Sequence, residues 1–333
     1  MSDYLARARA AGCEPAVSDW LATVYATRSS LPQPPPDDWI GRRTVAREIS
    51  DILAARFTAP GPAACEVTRH RVPTRAGQIT VVHYRPPTAR PRMAHLIFHG
   101  GGFVLGSVDE DINNRVCRTR ALAAGVDFFD VDYRLAPEHK FPAALEDCLD
   151  VLHWLRANAA EFGFETDRIG VGGISAGGNL AAMVAVHARD LGVPLDHQIL
   201  EVPATDLHIE RDESFLAYAE LNDLGGDFTA LRAAYLGADH SPVGPAAPAE
   251  VADLSNLAPA LVITAELDPL RDSGEAYAAA LAAAGVPVRH WRAPGHLHGS
   301  GTLTLTSPTA RAWQDLAVEF LRSRAIQPAS THP

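Results

Sequence analysis

Residues 168–190 read RIGVG, GISAGG and NLAAMVAVHARD: a short apolar run, a glycine-rich turn around Ser175 and an alanine-rich run. The apolar run predicts a buried strand, and the run after the turn predicts a helix. A sharp strand-to-helix turn is strained and crowded, so it needs small residues on both sides of its central residue. We therefore expect Ser175 to present its hydroxyl at the carboxyl edge of a sheet, where the oxygen can act as a nucleophile.

A second glycine-rich segment, HGGGF (99–103), directly follows the apolar run HLIF. Successive glycines allow backbone N–H groups to point at one place without obstruction by side chains. In acyl-transfer enzymes, such N–H groups bind the oxygen that becomes negatively charged during the reaction. We predict that the N–H groups of Gly101, Gly102 and Ala176, the residue after the serine, form this oxyanion hole.

A serine nucleophile of this kind needs an acid and a histidine, which follow the serine in that chain order. Asp268 follows the apolar run LVITAEL, and His298 follows the run VRHWR, so each stands where a loop is expected after a strand. Asp268 and His298 are therefore our candidates. Glu266, Asp272 and His296 lie within a few residues of them and remain alternatives.

The rest of the chain alternates apolar runs with helical stretches. The runs that we assign to strands are CEVTRHRV, QITVVHYR, HLIFH, VDFFDVDY, RIGVGG, HQILEV, LVITAEL and VRHWR. The first two are joined by Arg75-Ala76-Gly77 and predict a hairpin. The others predict a parallel arrangement covered by helices. The expected fold class is α/β, with a mostly parallel sheet of about eight strands flanked by helices on both faces.

Two segments depart from this alternation. Residues 1–57 form an N-terminal appendage, with two helices predicted from residue 15 onward, separated by a proline cluster at positions 32, 34, 35 and 36. Asp37 or Asp38 is placed to cap the second helix. Residues 206–236 are charged and aromatic, and they predict a helical insertion above the strand ends. The core is then expected to comprise residues 58–205 and 237–333.

Five ordered motifs carry a resemblance to a known family: HGGGF (99–103), DYRLAPEHKFPAALED (132–147), GISAGGN (173–179), ELDPLRDSGEAYA (266–278) and the final HG (298–299). Over roughly residues 65 to 322 the chain resembles the hormone-sensitive-lipase-like family of α/β-hydrolase carboxylesterases. The resemblance implies a triad of Ser175, Asp268 and His298, an oxyanion hole at Gly101, Gly102 and Ala176, and a helical cap built from residues 1–57 and 206–236. In the second motif, Arg134, Glu138 and His139 are expected to make structural ion pairs and hydrogen bonds near the oxyanion loop.

The sequence departs from the commonest pattern of that family at three positions. Many relatives have aspartate where Ile174 stands, an apolar residue where Glu201 stands, and phenylalanine where Ser300 stands. Together these changes resemble a branch that contains bacterial acetyl esterases such as heroin esterase. A glutamate in an apolar strand is costly unless it is paired, so Glu201 is a candidate for supporting the elbow in place of the missing aspartate. A strand-end glutamate that reaches solvent is the alternative.

Composition excludes several classes of function. The formal net charge is -11 and no Lys or Arg cluster appears, which argues against a nucleic-acid partner. The four cysteines include no CxxC pair, so neither a zinc site nor a disulfide framework is indicated. Neither a signal peptide nor a long apolar segment is apparent, and we expect a cytoplasmic protein with no membrane contact.

These observations together predict a serine carboxylesterase that hydrolyses short-chain acyl esters, from acetyl to butyryl, through an acyl-enzyme intermediate. The expected partner is a small-molecule ester, and no metal or organic cofactor is required. A lactonase or amidase that uses the same triad is one alternative, and a non-catalytic ligand-binding receptor of the same fold is another. The oligomeric state stays open, with a homodimer as one option.

Overall fold

An eight-stranded sheet organises the part of the chain that this computed structural model describes, residues 2–87, 92–222, 228–237 and 245–326. Strands β1–β8 comprise Glu66–Thr74, Gly77–Arg85, Arg92–Phe98, Asp127–Val131, Phe164–Ile174, Gln198–Glu201, Ala260–Ala265 and Val288–Ala293. Their order in the sheet is β1-β2-β4-β3-β5-β6-β7-β8. The β1–β2 and β2–β4 pairs are antiparallel, and all the other pairs are parallel. The predicted mostly parallel sheet is confirmed.

The helices of the described residues lie between and beyond these strands. Helices α1–α11 comprise Ser2–Ala10, Pro15–Ser30, Trp39–Phe57, Asp111–Ala124, Ala143–Ala157, Ala159–Phe162, Ala176–Asp190, Glu213–Tyr218, Phe228–Leu236, Arg271–Ala283 and Pro308–Ile326. None of the helices in the described ranges has the length and apolar character needed to cross a membrane.

Different helices cover the two faces of the sheet. Along β3, Leu96 and Phe98 belong to one hydrophobic cluster and Ile97 to the other, as the alternation of side chains along a strand requires. Residues of α5, α7 and α10 complete the first cluster, and residues of α4 and α11 complete the second. The central strands are therefore buried on both faces, which explains their nearly continuous apolar sequences.

Two helices follow β4 in close succession. The stretch ALEDCLDVLHWLRANAAEFG forms α5 and then the short α6, with Asn158 between them. The side-chain amide and the backbone N–H of Asn158 both donate to the carbonyl of Trp154, at 2.7 and 3.1 Å. Glycines end two helices: Gly163 follows α6 at φ 89, and Gly285 follows α10 at φ 83, both in the left-handed region that glycine tolerates.

The N-terminal segment contains three helices, one more than the sequence predicted. Helices α2 and α3 lie on either side of the proline cluster, and the Asp38 side chain caps α3 by accepting a hydrogen bond from Gly41 N. Helix α1 was missed because its mixture of charges and alanines shows no clear apolar face. In the structure Ala8 of α1 is buried in a cluster with residues of α2 and α3.

The insertion lies over the glycine-rich loop at residues 99–103. Its described part contains α8 and α9, and residues 223–227 of the predicted segment lie outside the described residues. The ring of Tyr235 from α9 stacks on Phe103 with centroids 3.7 Å apart. A Cβ atom built on Gly102 would lie 3.0 Å from Leu231 of α9. The segment boundaries at residues 57, 205 and 236 stay sequence predictions.

Candidate active site

Ser175 stands on a strained turn between β5 and α7. Its backbone has φ 58 and ψ -117, a left-handed conformation that a residue with a side chain rarely adopts. Two hydrogen bonds fix the turn to the neighbouring strand: Ser175 N donates to Glu201 O over 2.9 Å, and Ala204 N donates to Ser175 O over 3.1 Å. Hydrogen bonds between the end of β5 and the end of β6 therefore keep the Ser175 backbone in this strained conformation.

The glycines on both sides of Ser175 permit close approach of the backbone. A Cβ atom on Gly177 would lie 1.9 Å from the carbonyl oxygen of Phe98, and one on Gly173 would lie 2.2 Å from the carbonyl oxygen of Gly177. Either contact would displace the turn, because real Cβ atoms do not approach backbone so closely. The small residues of GISAGG are thus required by packing against the end of β3.

His298 connects Ser175 with Asp268. The Nε2 atom of His298 lies 2.8 Å from Ser175 Oγ, and its Nδ1 atom lies 2.8 Å from Asp268 Oδ2. Asp268 is fully buried, and its Oδ1 accepts a hydrogen bond from Leu270 N at 2.8 Å. These three side chains, predicted separately from three loops, lie together at the carboxyl edge of the sheet with the geometry of a nucleophile, a base and an orienting acid.

The three alternatives have other partners. Glu266 accepts from Gly295 N at 2.7 Å, and Asp272 accepts from Ser214 N at 2.8 Å. His296 is buried and contacts the hydroxyls of Ser300 and Ser307 through its two ring nitrogens. Burial lowers the pKa of His296, which suits a neutral structural histidine.

Asn222 was not singled out in the sequence. Its Oδ1 accepts from His298 N at 2.8 Å, and its Nδ2 donates to Leu267 O at 2.8 Å and to Tyr218 O at 2.9 Å. One amide from the insertion thus bridges the loop before Asp268 and the loop of His298. No local pattern identifies such a residue, because its function depends entirely on where the insertion folds.

The HGGGF loop lies beside the elbow. Gly101 and Gly102 have φ 119 and φ 60. A Cβ atom on Gly101 would lie 2.2 Å from the Leu105 carbonyl oxygen, so this position requires glycine. Both glycines line the same cavity as Ser175 and Ala176, the first residue of α7. The structure therefore places the three predicted oxyanion-hole residues around one space.

Side chains beside this loop support it. The His99 ring stacks on Tyr133 with centroids 4.2 Å apart, and burial lowers the pKa of His99 to about 4. Arg43 of α3 donates to the carbonyl oxygens of Val104 and Ala136, both at 2.8 Å, and it pairs with Glu138 at 2.6 Å.

The second motif contributes a further ion pair. Arg134 pairs with the buried Asp147 at 2.9 Å. The expected ion pairs of Arg134 and Glu138 are thus present. His139 contributes a hydrogen bond, which its backbone N–H donates to the Leu135 carbonyl.

The chain is similar to several known proteins. The family model for the alpha/beta hydrolase fold matches residues 95–301. Carboxylesterase NlhH of Mycobacterium tuberculosis is 41% identical over 241 residues, which cover 70% of this chain and 74% of that protein. Among solved structures, a hyperthermophilic esterase from the archaeon Pyrobaculum calidifontis has a TM-score of 0.81 at 38% identity and covers 87% of this chain and 95% of its own. A bacterial heroin esterase has a TM-score of 0.81 at 31% identity, over 92% of this chain and 98% of its own.

The chain belongs to the α/β-hydrolase family of esterases. The resemblance and the fold inferred from the motifs are confirmed. The relatives support carboxylesterase activity for this hydrolase.

In this α/β hydrolase, Glu201 is buried and paired. Arg120 donates from both terminal nitrogens to the two Glu201 carboxylate oxygens, at 2.6 and 2.7 Å, and Trp313 Nε1 donates to Glu201 Oε2 at 2.6 Å. Arg120 also donates to Gln314, whose amide donates to the Gly301 carbonyl beyond the His298 loop. The solvent-facing alternative is thus ruled out. The Glu201 side chain is linked to the His298 loop through Arg120 and Gln314, and also through Trp313, whose ring packs against Gly301. Its supporting role stays a prediction.

The other two unusual residues of the hydrolase have different environments. The Ser300 hydroxyl donates to Leu297 O at 2.8 Å, accepts from Leu297 N at 3.1 Å and lies 2.8 Å from His296 Nδ1. These bonds hold the turn that carries His298. Ile174 lines the cavity over Ser175, where an aspartate would place a charge against apolar walls.

Two cavities, each of about 300 Å³, adjoin the HGGGF loop of the hydrolase. The first, which we call the serine cavity, is lined by Ser175 and His298 and is closed above by Phe228 and Leu231 of α9. The second, which we call the β4 cavity, extends to Asp130. The two share Gly100, Gly101, Leu105, Ile174 and Gly299 in their walls.

Proposed function

We propose that this protein is a serine carboxylesterase that hydrolyses short-chain acyl esters, from acetyl to butyryl, through an acyl-enzyme intermediate. The observation that carries the proposal is the continuous contact from Ser175 Oγ through His298 to Asp268, with 2.8 Å at each step, on a strained strand-to-helix turn. Such strain is usually retained where it serves a site. The relatives named as carboxylesterases and esterases support the reaction class.

In the proposed reaction, Ser175 Oγ attacks the ester carbonyl carbon while His298 Nε2 takes its proton. Asp268 holds the imidazole through Nδ1 and stabilises the imidazolium that forms. The N–H groups of Gly101, Gly102 and Ala176 bind the oxyanion of the tetrahedral intermediate. His298 then gives its proton to the departing alkoxide, and water, activated by the same nitrogen, releases the acid and regenerates Ser175.

The preference for short chains rests on the size of the serine cavity. Its volume of about 300 Å³ is at the lower end for ligand sites, and α9 lies across it. Each further methylene would need burial worth roughly 0.8 kcal/mol, which a short cavity cannot supply. Rates are therefore expected to fall steeply beyond about eight carbons, because each further methylene group would remain unburied.

An ester panel with a labelling experiment tests the proposal. Nitrophenyl esters of increasing chain length are assayed with wild-type protein, Ser175→Ala and the control Ser323→Ala, which removes a hydroxyl on α11. Turnover should be greatest for the acetyl to butyryl esters and be lost in Ser175→Ala alone. A fluorophosphonate should label Ser175. Labelling of another serine, or a maximum on long-chain emulsified triglycerides, would contradict the proposal.

Lactones and amides in the same panel address the alternatives, because the same three side chains can act on them. If the protein hydrolysed a lactone or an amide much faster than every ester, a lactonase or amidase function would replace the esterase proposal. Tight binding of a small ligand with no turnover of any compound would favour a receptor.

A further inference from the structure

The β4 cavity contains a buried carboxyl group that the proposed mechanism does not use. Asp130 is in the middle of the sheet, opposite Ile97 of β3 and Val82 of β2, and is 1% exposed. Asp130 is one of the residues that line the cavity, and its buried Oδ2 atom has no hydrogen-bond partner among the described residues. Leaving such an acceptor unpaired in the folded protein is costly, unless a ligand supplies the partner.

The charges around Asp130 are also unbalanced. Glu110 lines the same cavity, where it accepts a hydrogen bond from Ser50 at 2.6 Å, and Asp132 follows two residues after Asp130. Across the described ranges, none of these three carboxyl groups forms a direct ion pair. Burial, and then the charges of Asp132 and Glu110, raise the pKa of Asp130 well above its usual range. Arg47, Arg69 and Arg71 act on these carboxyl groups only from a distance. Among the described residues the site therefore has acceptors and acidic character without a directly paired cation.

The β4 cavity adjoins the reacting groups. It shares Gly101, whose N–H is a predicted oxyanion donor, and Gly299, which follows His298, with the serine cavity. Its other walls are mostly apolar, including Phe98, Val116 and Cys117. A substrate bound at Ser175 thus has one of its two portions, acyl or alcohol, next to the wall that the serine cavity shares with the acid-containing β4 cavity.

We propose that the β4 cavity selects esters that carry a protonated amine, whose ammonium group donates a hydrogen bond to Asp130. The proposal rests on the esterase function proposed above and names its substrate class. The approaching cation allows the Asp130 carboxyl to ionise, and the displaced proton passes to solvent. An ammonium group suits the site better than a hydroxyl, because it supplies the hydrogen-bond donor together with a positive charge that balances the ionised carboxylate.

Matched substrate pairs test this selection in the full-length protein. Dimethylaminopropyl acetate, which carries the amine in its alcohol portion, is compared with its hydrocarbon isostere methylpentyl acetate. Ethyl dimethylaminobutanoate, which carries the amine in its acyl portion, is compared with ethyl methylhexanoate. Hydroxybutyl acetate provides the neutral donor. Wild-type kcat/KM should favour the ammonium ester by about tenfold in at least one pair, the size expected for a hydrogen bond to a charged group.

Variants then assign the preference to Asp130. Asp130→Asn, which is isosteric, should remove the preference. Asp132→Asn, which removes a neighbouring charge but keeps the Asp130 carboxyl, should retain most of it. Butylammonium should inhibit wild-type hydrolysis of nitrophenyl acetate more strongly than butanol does, a comparison that does not depend on the folding of any variant.

The inference is wrong if the isosteres or the hydroxyl ester are preferred, if butanol inhibits as well as butylammonium, or if Asp130→Asn keeps the wild-type preference. In each of those cases, hydrolysis of nitrophenyl acetate that is lost in Ser175→Ala leaves the proposed function standing. Failure to hydrolyse any ester overturns both.

Discussion

At the scale of single residues, Asp268 and His298 are expected to differ in their contribution to turnover. His298 moves the proton, whereas Asp268 orients and stabilises the ring. Asp268→Asn should therefore lower kcat on an acetyl ester by about 10⁴, and His298→Ala by about 10⁶. Steady-state assays of both variants, with thermal unfolding to verify the fold, measure the difference. A larger loss in Asp268→Asn would reverse the assigned roles.

The Glu201–Arg120 pair makes a prediction about stability. Both side chains are 2% exposed, so removal of one partner leaves a buried charge. Glu201→Leu should lower the free energy of unfolding by about 3–5 kcal/mol, and Glu201→Gln by less, because glutamine still accepts a hydrogen bond. Glu201→Gln should also lower kcat modestly through Gln314 and the His298 loop. Urea unfolding and acetyl-ester assays measure both effects.

The double variant Arg120→Leu/Glu201→Leu is the control for this pair. It removes both charges, and we expect it to be more stable than Glu201→Leu alone. If the loss of stability in the double variant equalled the sum of the losses in Glu201→Leu and Arg120→Leu, the ion pair would not be the source of the effect.

At the scale of elements, the insertion is expected to act on catalysis through Asn222. The residue follows α8 and joins Leu267 O to His298 N, so Asn222→Ala would free the two loops to move relative to each other. Small displacements of catalytic groups are costly, and kcat should fall by about tenfold or more with little change in KM. The matched control is Asn158→Ala, which removes an amide that bonds Trp154 O at the end of α5. Equal effects of the two variants on kcat would contradict a role for Asn222 in positioning.

The elements also show which features can be predicted from sequence. The strand, turn and helix around Ser175 are contiguous, and their small residues are required by local crowding, so the elbow could be located from its motif alone. Asn222 and Asp130 act through contacts with residues far away in the chain, and neither lies in a pattern that identifies it. Glu201 was noticed as an anomaly, but its partner Arg120 lies on a helix that the sequence does not connect with it.

At the scale of the whole molecule, the N-terminal segment is packed against both catalytic loops. Leu267 and Leu297, which precede Asp268 and His298, share a buried cluster with Val17 of α2 and Phe57 of α3. Glu14 adds polar contacts, its backbone N–H donating to Gly295 O at 3.0 Å and its carboxylate accepting from Ser307 Oγ at 3.0 Å. On the other side of the site, Arg43 holds the loop after the oxyanion glycines.

Removal of residues 1–57 should therefore lower both stability and turnover. The truncation exposes leucines whose burial stabilises the fold by roughly 1.5–3 kcal/mol each, and it frees the loops that carry Asp268 and His298. We expect a lower unfolding temperature and a lower kcat, together with a higher KM because the cavity walls loosen. Glu14→Ala, which removes the carboxylate contacts but keeps the helices, should change the unfolding temperature, kcat and KM much less than the truncation does. If the truncated protein kept its unfolding temperature, its kcat and its chain-length profile, the N-terminal helices would be an appendage without influence on the site.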